Sequence, residues 1–427
     1  MKLRRDRHRA RRRYPRTALW LAGAFGLAAL AWMVIGVPAL VKYPTDLDVT
    51  PRYEGSFTLM VDPVTAAPLD EPTEAPLTVE RRIAVDGDES GASRAVVEET
   101  IDQRAGDLVE LTQRNVYVMD RSTLENVEDG RAFAFEPENG VDRSGAYRLN
   151  LPFDVSRDET YDIYRNEVDD TYLMQADPET ATTEIEGLEL SNFVGSMDEV
   201  PLTDAYVGQL RSAAPLPESL TLDQLEPHLL ARGIDVDTLV AALTPVLTPE
   251  DTATLGEFAA TPIELEYVLS FEGGAAVEPV TGAEVRVYSD EVIGARPVLT
   301  DLPTLQAVLE RYPEVPEAVA AGEALDELAE APAIPVFEIA YEQTPASVAE
   351  VADEARSMRT QVLAAKVWLP IGLVALAVLS LVIGALVWLR RGPAGDRAHD
   401  VPAPPPQARP HEGRPQEGTR TTGRSAA

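Results

Sequence analysis

The sequence predicts an α+β protein, in which an antiparallel, curved β-sheet domain with covering helices is flanked by two transmembrane helices. Three observations carry this reading. Two apolar, charge-free stretches lie near the chain ends. Residues 53–202 alternate apolar and polar side chains as half-buried strands do. Residues 216–261 and the stretch before the second apolar segment change to helical spacing.

The apolar stretches are residues 18–41 and 367–389, and neither contains Asp, Glu, Lys, Arg or His. Each exceeds the roughly 20 apolar residues that a helix needs to cross a bilayer. All four tryptophans, Trp20, Trp32, Trp368 and Trp388, fall inside them. Trp20, Trp368 and Trp388 lie close to segment ends, where an indole anchors at a membrane interface. The first stretch has an alternative reading as a cleaved signal peptide, because Val37-Pro38-Ala39 loosely fits a cleavage site. Signal-peptide cores run about 7–15 residues, so an uncleaved anchor fits its length better.

Charge orients the two spans. Residues 1–17 carry nine basic groups against the single acid Asp6, and the tail after Leu389 carries seven arginines against four acids. Short basic flanks stay cytoplasmic, so both termini are expected inside and residues 42–346 outside, at a plasma membrane. Between the spans and their flanks, residues 42–389 hold 21 basic and 66 acidic side chains, a net of −45. So acidic a surface excludes nucleic-acid binding and adhesion to an anionic leaflet. Cysteine is absent, which excludes disulfides, thiol catalysis and cysteine metal sites. The domain must therefore be held by its core, and its length allows this.

Strand patterns run through 53–61, 77–85, 95–101, 109–119 and 131–135. In 77–85 one face reads Leu77, Val79, Arg81, Ile83, Val85, an apolar row interrupted by an arginine. An acid-x-x-Thr pattern recurs at Asp62, Asp120, Asp177 and Glu278, each time after a strand. A leading acid of this kind bonds the backbone ahead of it, so the four read as equivalent turns at one rim of the sheet.

Helical spacing takes over at Leu222, Leu225, Leu229 and Leu230, stops at Gly233, and resumes from Leu239 to Leu247. Strand character returns at 263–271 and 284–288, followed by helices at 302–312 and 316–331 and a last strand at 336–341. Residues 347–366 form an amphipathic stalk with the seam Val348, Val351, Ala355, Met358 and Val362. That seam suits either a partner helix, as in a short coiled coil, or the chain's own domain. The tail, 390–427, is rich in Pro and Arg and has no core-forming residues, the composition of a disordered segment.

Chemistry is sparse. His228 is the one histidine outside the tails, with no sequence neighbour to complete a triad or metal site. No phosphate-cradling loop or zinc spacing is present, which points away from an enzyme. Asp86, Asp88 and Ser90 place oxygens at alternate positions before Gly91, as a calcium loop does. The twelfth position is Val97, however, so a hairpin loop competes with a divalent-cation site. No other cofactor is expected. Small-residue pairs, Ala22/Gly26 and Ser380/Gly384, suit close packing of the spans.

Several short motifs resemble the actinobacterial porin PorA family of double-spanning membrane proteins. They are Leu40-Val41-Lys42-Tyr43-Pro44, Val118-Met119-Asp120-Arg121-Ser122-Thr123, Leu151-Pro152-Phe153-Asp154 and Thr160-Tyr161-Asp162. Glu184-Ile185-Glu186-Gly187-Leu188-Glu189-Leu190 with Phe193, Val277-Glu278-Pro279-Val280-Thr281-Gly282 and Val367-Trp368-Leu369-Pro370 complete the set. The resemblance runs from the first span to Arg391, with an expanded helical insert between Phe193 and Tyr267. Its name implies a channel, which here would require oligomerised spans rather than a β-barrel. Glu186-Gly187 with Phe193 also resembles the half-barrel sheets of periplasmic lipoprotein carriers and envelope-stress sensors, a likeness of fold alone. Together these readings lead to a binding protein that handles an envelope lipid or lipid-linked component, its partner being membrane lipid. The alternative is a structural or signalling subunit of an envelope complex, with a homo-oligomer or an envelope protein as partner.

Overall fold

The computed structural model describes residues 2–62, 65–214, 216–300 and 302–390, with side chains from Thr17 onward. Two compact units divide the chain. Phe25–Ala375 holds the sheet domain and the adjoining parts of both apolar helices, and Met1–Ala24 with Leu376–Ala427 holds the rest. The tail expected to be disordered lies, beyond Arg390, outside the described residues.

Fourteen strands are present among the described residues: β1 (Asp48–Val49), β2 (Arg52–Val61), β3 (Pro68–Asp86), β4 (Arg94–Ala105), β5 (Val109–Asp120), β6 (Phe133–Ala134) and β7 (Tyr161–Arg165) come first. β8 (Asp170–Ala176), β9 (Thr182–Ile185), β10 (Leu188–Pro201), β11 (Ser219–Leu220), β12 (Ile263–Val277), β13 (Glu284–Val298) and β14 (Ile334–Gln343) follow. Eleven of them form one path, β6-β5-β4-β3-β2-β14-β13-β12-β10-β8-β7, antiparallel throughout. The path curls back on itself: Asn166, just past β7, donates to the Tyr117 hydroxyl on β5 at 2.6 Å. The fold is thus the expected α+β curved sheet, curled into a half-barrel.

Local chemistry explains the elements. Pro72 and Pro76 sit in the part of β3 that pairs only with β2, where a missing N–H breaks no ladder on the other side. Thr203, Thr221, Asp235, Thr248 and Thr344 cap the helices Asp204–Ala213, Leu222–Ala231, Val236–Leu243, Pro249–Ala260 and Pro345–Leu363 with side-chain oxygens. The first of these helices was not expected, and the fourth completes the expected 216–261 insert. The insert between β10 and β12 accordingly begins at Asp204 rather than 216. With Leu302–Leu309 and Pro316–Glu330, the first four of these helices fill the connections at the sheet rim opposite the apolar helices, and the fifth is the stalk.

The acid-x-x-Thr turns are real, but they do not share one rim. Asp62, Asp120, Asp177 and Glu278 each accept backbone N–H groups two or three residues ahead. Strand direction puts Asp120, Asp177 and Glu278 at the rim beside the apolar helices and Asp62 at the opposite one. β2 runs against β5 in the antiparallel order, and a side-chain-capped turn serves either end equally well.

Both apolar helices are long enough to span a bilayer: Thr17–Leu40, and a continuous 46-residue helix, Pro345–Arg390. The stalk therefore runs unbroken into the second span. The first helix begins at Lys2, ahead of the expected span. Each helix contains one π-helical turn, Trp32–Gly36 and Ala364–Trp368. There Trp32 Nε1 donates to the Ala365 carbonyl at 2.9 Å. Of the small-residue positions, Gly384 meets the other helix, since a Cβ there would fall 2.5 Å from Ala18 Cβ. Gly26 meets nothing within 4 Å.

Candidate ligand chamber

The inward face of the sheet is not uniformly apolar. Strand alternation carries Arg81 inward between Val79 and Ile83, and Glu99 inward between Val97 and Ile101. β5 adds Gln113, Asn115 and Tyr117, β13 adds Ser289 and Glu291, and β7 adds Arg165. These residues form a charged belt around the middle of the half-barrel.

Two hydrogen-bonded clusters stabilise the belt. In the first, Arg81 Nε donates to Glu99 Oε1 at 2.6 Å, while Tyr117 Oη and Asn115 Nδ2 donate to Oε2 at 2.6 and 2.9 Å. Arg143 backs this group, stacked over the Tyr117 ring at 4.3 Å and donating to Asn166. In the second, Arg165 Nη2 donates to Glu291 Oε1 at 2.9 Å and its Nε to Glu167 Oε2 at 3.3 Å. Ser289 Oγ donates to the same Glu291 oxygen at 2.8 Å. Pairing of this kind lowers the cost of burying these charges.

The electrostatics follow from these contacts. Burial alone would raise the Glu99 carboxyl, but Arg81, Arg148 and the Tyr117 hydroxyl outweigh it and hold it at about 2. Glu167 is likewise lowered, with Arg165 and Arg148 overcoming its burial. Glu284 goes the other way: desolvation exceeds the pull of Arg81 and Arg148 and raises its carboxyl. Burial pushes the Tyr117 and Tyr172 hydroxyls up to about 12.

Three cavities follow the interior from rim to rim. The cavity beside the apolar helices has a volume of about 250 Å³ and lies between β3, β13 and the stalk helix. Tyr43 and Leu47, which follow the first span, line it together with Val351 and Met358 of the stalk. A middle cavity of about 80 Å³ lies within the belt. Tyr53, Arg81, Glu284 and Val287 border both cavities, so the two adjoin. The third, also about 80 Å³, lies under the insert and is almost wholly apolar, lined by Phe57, Val61, Leu216, Leu220 and Phe337. His228 lies at its edge, and its Nε2 bonds the Ala66 carbonyl at 2.7 Å. That bond ties the insert to the β2–β3 turn and supplies the partner that sequence neighbours did not.

The residues singled out in the sequence fall in different places. Asp86 Oδ1 accepts from the backbone N–H of Asp88 and Glu89, and Ser90 Oγ accepts from Val96 N. The loop is a β3–β4 hairpin in which the Asp86 and Ser90 side chains cap the loop's own backbone. Among the described residues, no three Asp, Glu, His or Cys side chains gather into one group. Of the seam, Val348 and Ala355 are buried against Leu188, Leu190, Ala276 and Val285 of the chain's own sheet. Val362 is also buried, and Val351 and Met358 face the rim cavity. Trp20, Trp368 and Trp388 project outward, 79%, 68% and 66% exposed, whereas Trp32 is partly buried and bonded.

The short motifs converge where the apolar helices leave the domain. Tyr43 and Arg121 exchange two bonds, Tyr43 N to the Arg121 carbonyl at 2.8 Å and Arg121 Nε to the Tyr43 carbonyl at 2.7 Å. Leu151 N donates to the Gly282 carbonyl at 3.0 Å, and Val155 N to that of Pro279 at 2.7 Å. Lys366 pairs with Asp154, and Arg359 Nε lies 3.5 Å from Glu278. These motifs are joints between the sheet and its supports.

The fold and its interior thus define a class: a curled-sheet domain with an internal charged chamber, carried on two apolar helices suited to membrane anchoring. A family model described as Porin PorA matches residues 15–386, so the chain belongs to the PorA porin family. No curated protein matches the sequence.

Proposed function

We propose that this is a double-pass plasma-membrane protein, with both ends cytoplasmic, whose outer domain binds an envelope lipid or lipid-linked molecule and does not catalyse. One observation carries the reading. The cavity of about 250 Å³ is walled by the residues that leave the first span and by the helix that enters the second, and it adjoins the inner chamber. A molecule leaving the bilayer beside the helices would meet this cavity first. The basic flanks support the orientation, and the apolar walls suit hydrocarbon. The packing of Val348 and Ala355 against the chain's own sheet supports ligand handling over a partner-helix role.

Native mass spectrometry of the full-length protein, gently extracted from its own membrane, tests the proposal. A stoichiometric lipid that is lost in a Val351→Trp or Met358→Trp variant supports it. A protein that carries no lipid, with other envelope proteins co-purifying, transfers the role to a scaffold.

A further inference from the structure

The belt contains one cation that the clusters do not use. Arg148 follows Tyr147, which bridges Ile163 on β7, and this brings it to the middle cavity. Its Nε is buried and has no hydrogen-bond partner. Glu99 and Glu167 act on it through space, but neither forms an ion pair with it among the described residues. Both oxygens of Glu99 are already taken by Arg81, Tyr117 and Asn115. Arg81 is incomplete too: Nε reaches Glu99, but its Nη2 is buried and without a partner. Two guanidinium groups with unmet donors therefore line the same cavity.

A buried guanidinium donor left unpaired is costly, and one on each of two neighbouring arginines calls for a shared acceptor. The planar fork of arginine matches the paired oxygens of a phosphate or carboxylate. Glu284 borders the same cavity and forms no ion pair among the described residues, but desolvation holds it toward its neutral form, so it competes weakly. Arg81 also borders the rim cavity, whose other walls include Leu47, Ile83, Leu149 and Met358.

We infer that the inner chamber binds one anionic oxygen-bearing group, the phosphate of an amphiphile, between Arg148 and Arg81, with the hydrocarbon in the rim cavity. The inference rests on the proposed lipid handling and gives its ligand a charge and a direction: headgroup inward, chain toward the rim.

The experiment uses full-length protein in a nonionic detergent and measures binding of three probes by calorimetry. They are a short-chain phosphatidic acid, the matching neutral diacylglycerol, and inorganic phosphate. Binding of the phosphatidic acid well above the diacylglycerol, weakened about tenfold to a hundredfold by Arg148→Gln, is expected. Arg148→Lys keeps the charge without the fork and should recover only part of the loss. Thermal unfolding of each variant separates lost binding from lost folding. Equal binding of both lipids, unaffected by Arg148→Gln, overturns the anion site and leaves lipid handling standing. Binding of inorganic phosphate alone, sensitive to Arg148→Gln, supports the anion site and overturns the lipid as its source. No binding by any probe overturns both.

Discussion

Arg81 on β3 and Glu99 on β4 form an ion pair at 2.6 Å on the inward face of the sheet, with the Glu99 side chain fully buried. Removing one partner strands the other charge in a poorly hydrated interior. Glu99→Ala should therefore destabilise the domain by about 3–5 kcal/mol, and the double change Arg81→Met with Glu99→Leu should cost far less. Chemical denaturation of the full-length protein in detergent distinguishes the two.

The same pair sets an acid limit. The Glu99 carboxyl lies at about 2 in the folded protein and near 4.5 when unfolded. Its depressed value means that its contribution is complete above the unfolded value and is lost as pH falls from about 4.5 toward 2. Melting temperature measured from pH 6 to pH 3 should fall over that window, and the slope should be shallower in Glu99→Gln.

Glu284 has the opposite sign. Its carboxyl is raised by burial, so the folded state prefers it protonated and loses stability as pH rises above the unfolded value near 4.5. Glu284→Gln should raise the melting temperature at pH 8 and change it little at pH 4. A uniform drop at both values would show that the carboxylate is needed for packing.

His228 reports on the insert. Desolvation lowers its pKa below the ordinary 6.5, outweighing its bond to the Ala66 carbonyl. The neutral ring is the stable form, so acidification through the histidine range should loosen the insert. Hydrogen exchange over residues 222–231 should speed up between pH 7.5 and 5.5. His228→Ala, at a cost of about 1 kcal/mol, should remove that dependence.

Gly282 tests the joint beside the apolar helices. Its φ is +74°, and a Cβ there would fall 1.9 Å from the Leu151 carbonyl oxygen. Gly282→Ala should cost about 3 kcal/mol or more, read as a lower melting temperature with earlier proteolysis around residues 151–155.

Much of the fold was legible because its signals are local. The strand periods, the insert helices and the stalk each show within a dozen residues of sequence. The helix Asp204–Ala213 escaped notice because it buries only Tyr206 and Leu210, too few for a visible stripe. The place of β14 between β2 and β13 was also hidden, since one of its two partners, β2, comes from near the start of the chain. The chamber was half visible: Arg81 interrupts an apolar row, and Glu99 sits likewise between Val97 and Ile101. Arg148 gave no signal, because it comes from a loop whose position only the curled sheet determines. His228 and its Ala66 partner stand 162 residues apart, beyond any spacing rule.

The two π-helical turns give the domain a latch. A π-turn is where a helix bends most easily, and each apolar helix has one. Here they are clasped together by the indole of Trp32 on the Ala365 carbonyl. The stalk that walls the rim cavity is covalently continuous with the second of these turns, with no loop to absorb motion. Flexing at this point must release both that hydrogen bond and the Lys366–Asp154 ion pair, so the wall of the rim cavity is tied to the spans through these two contacts.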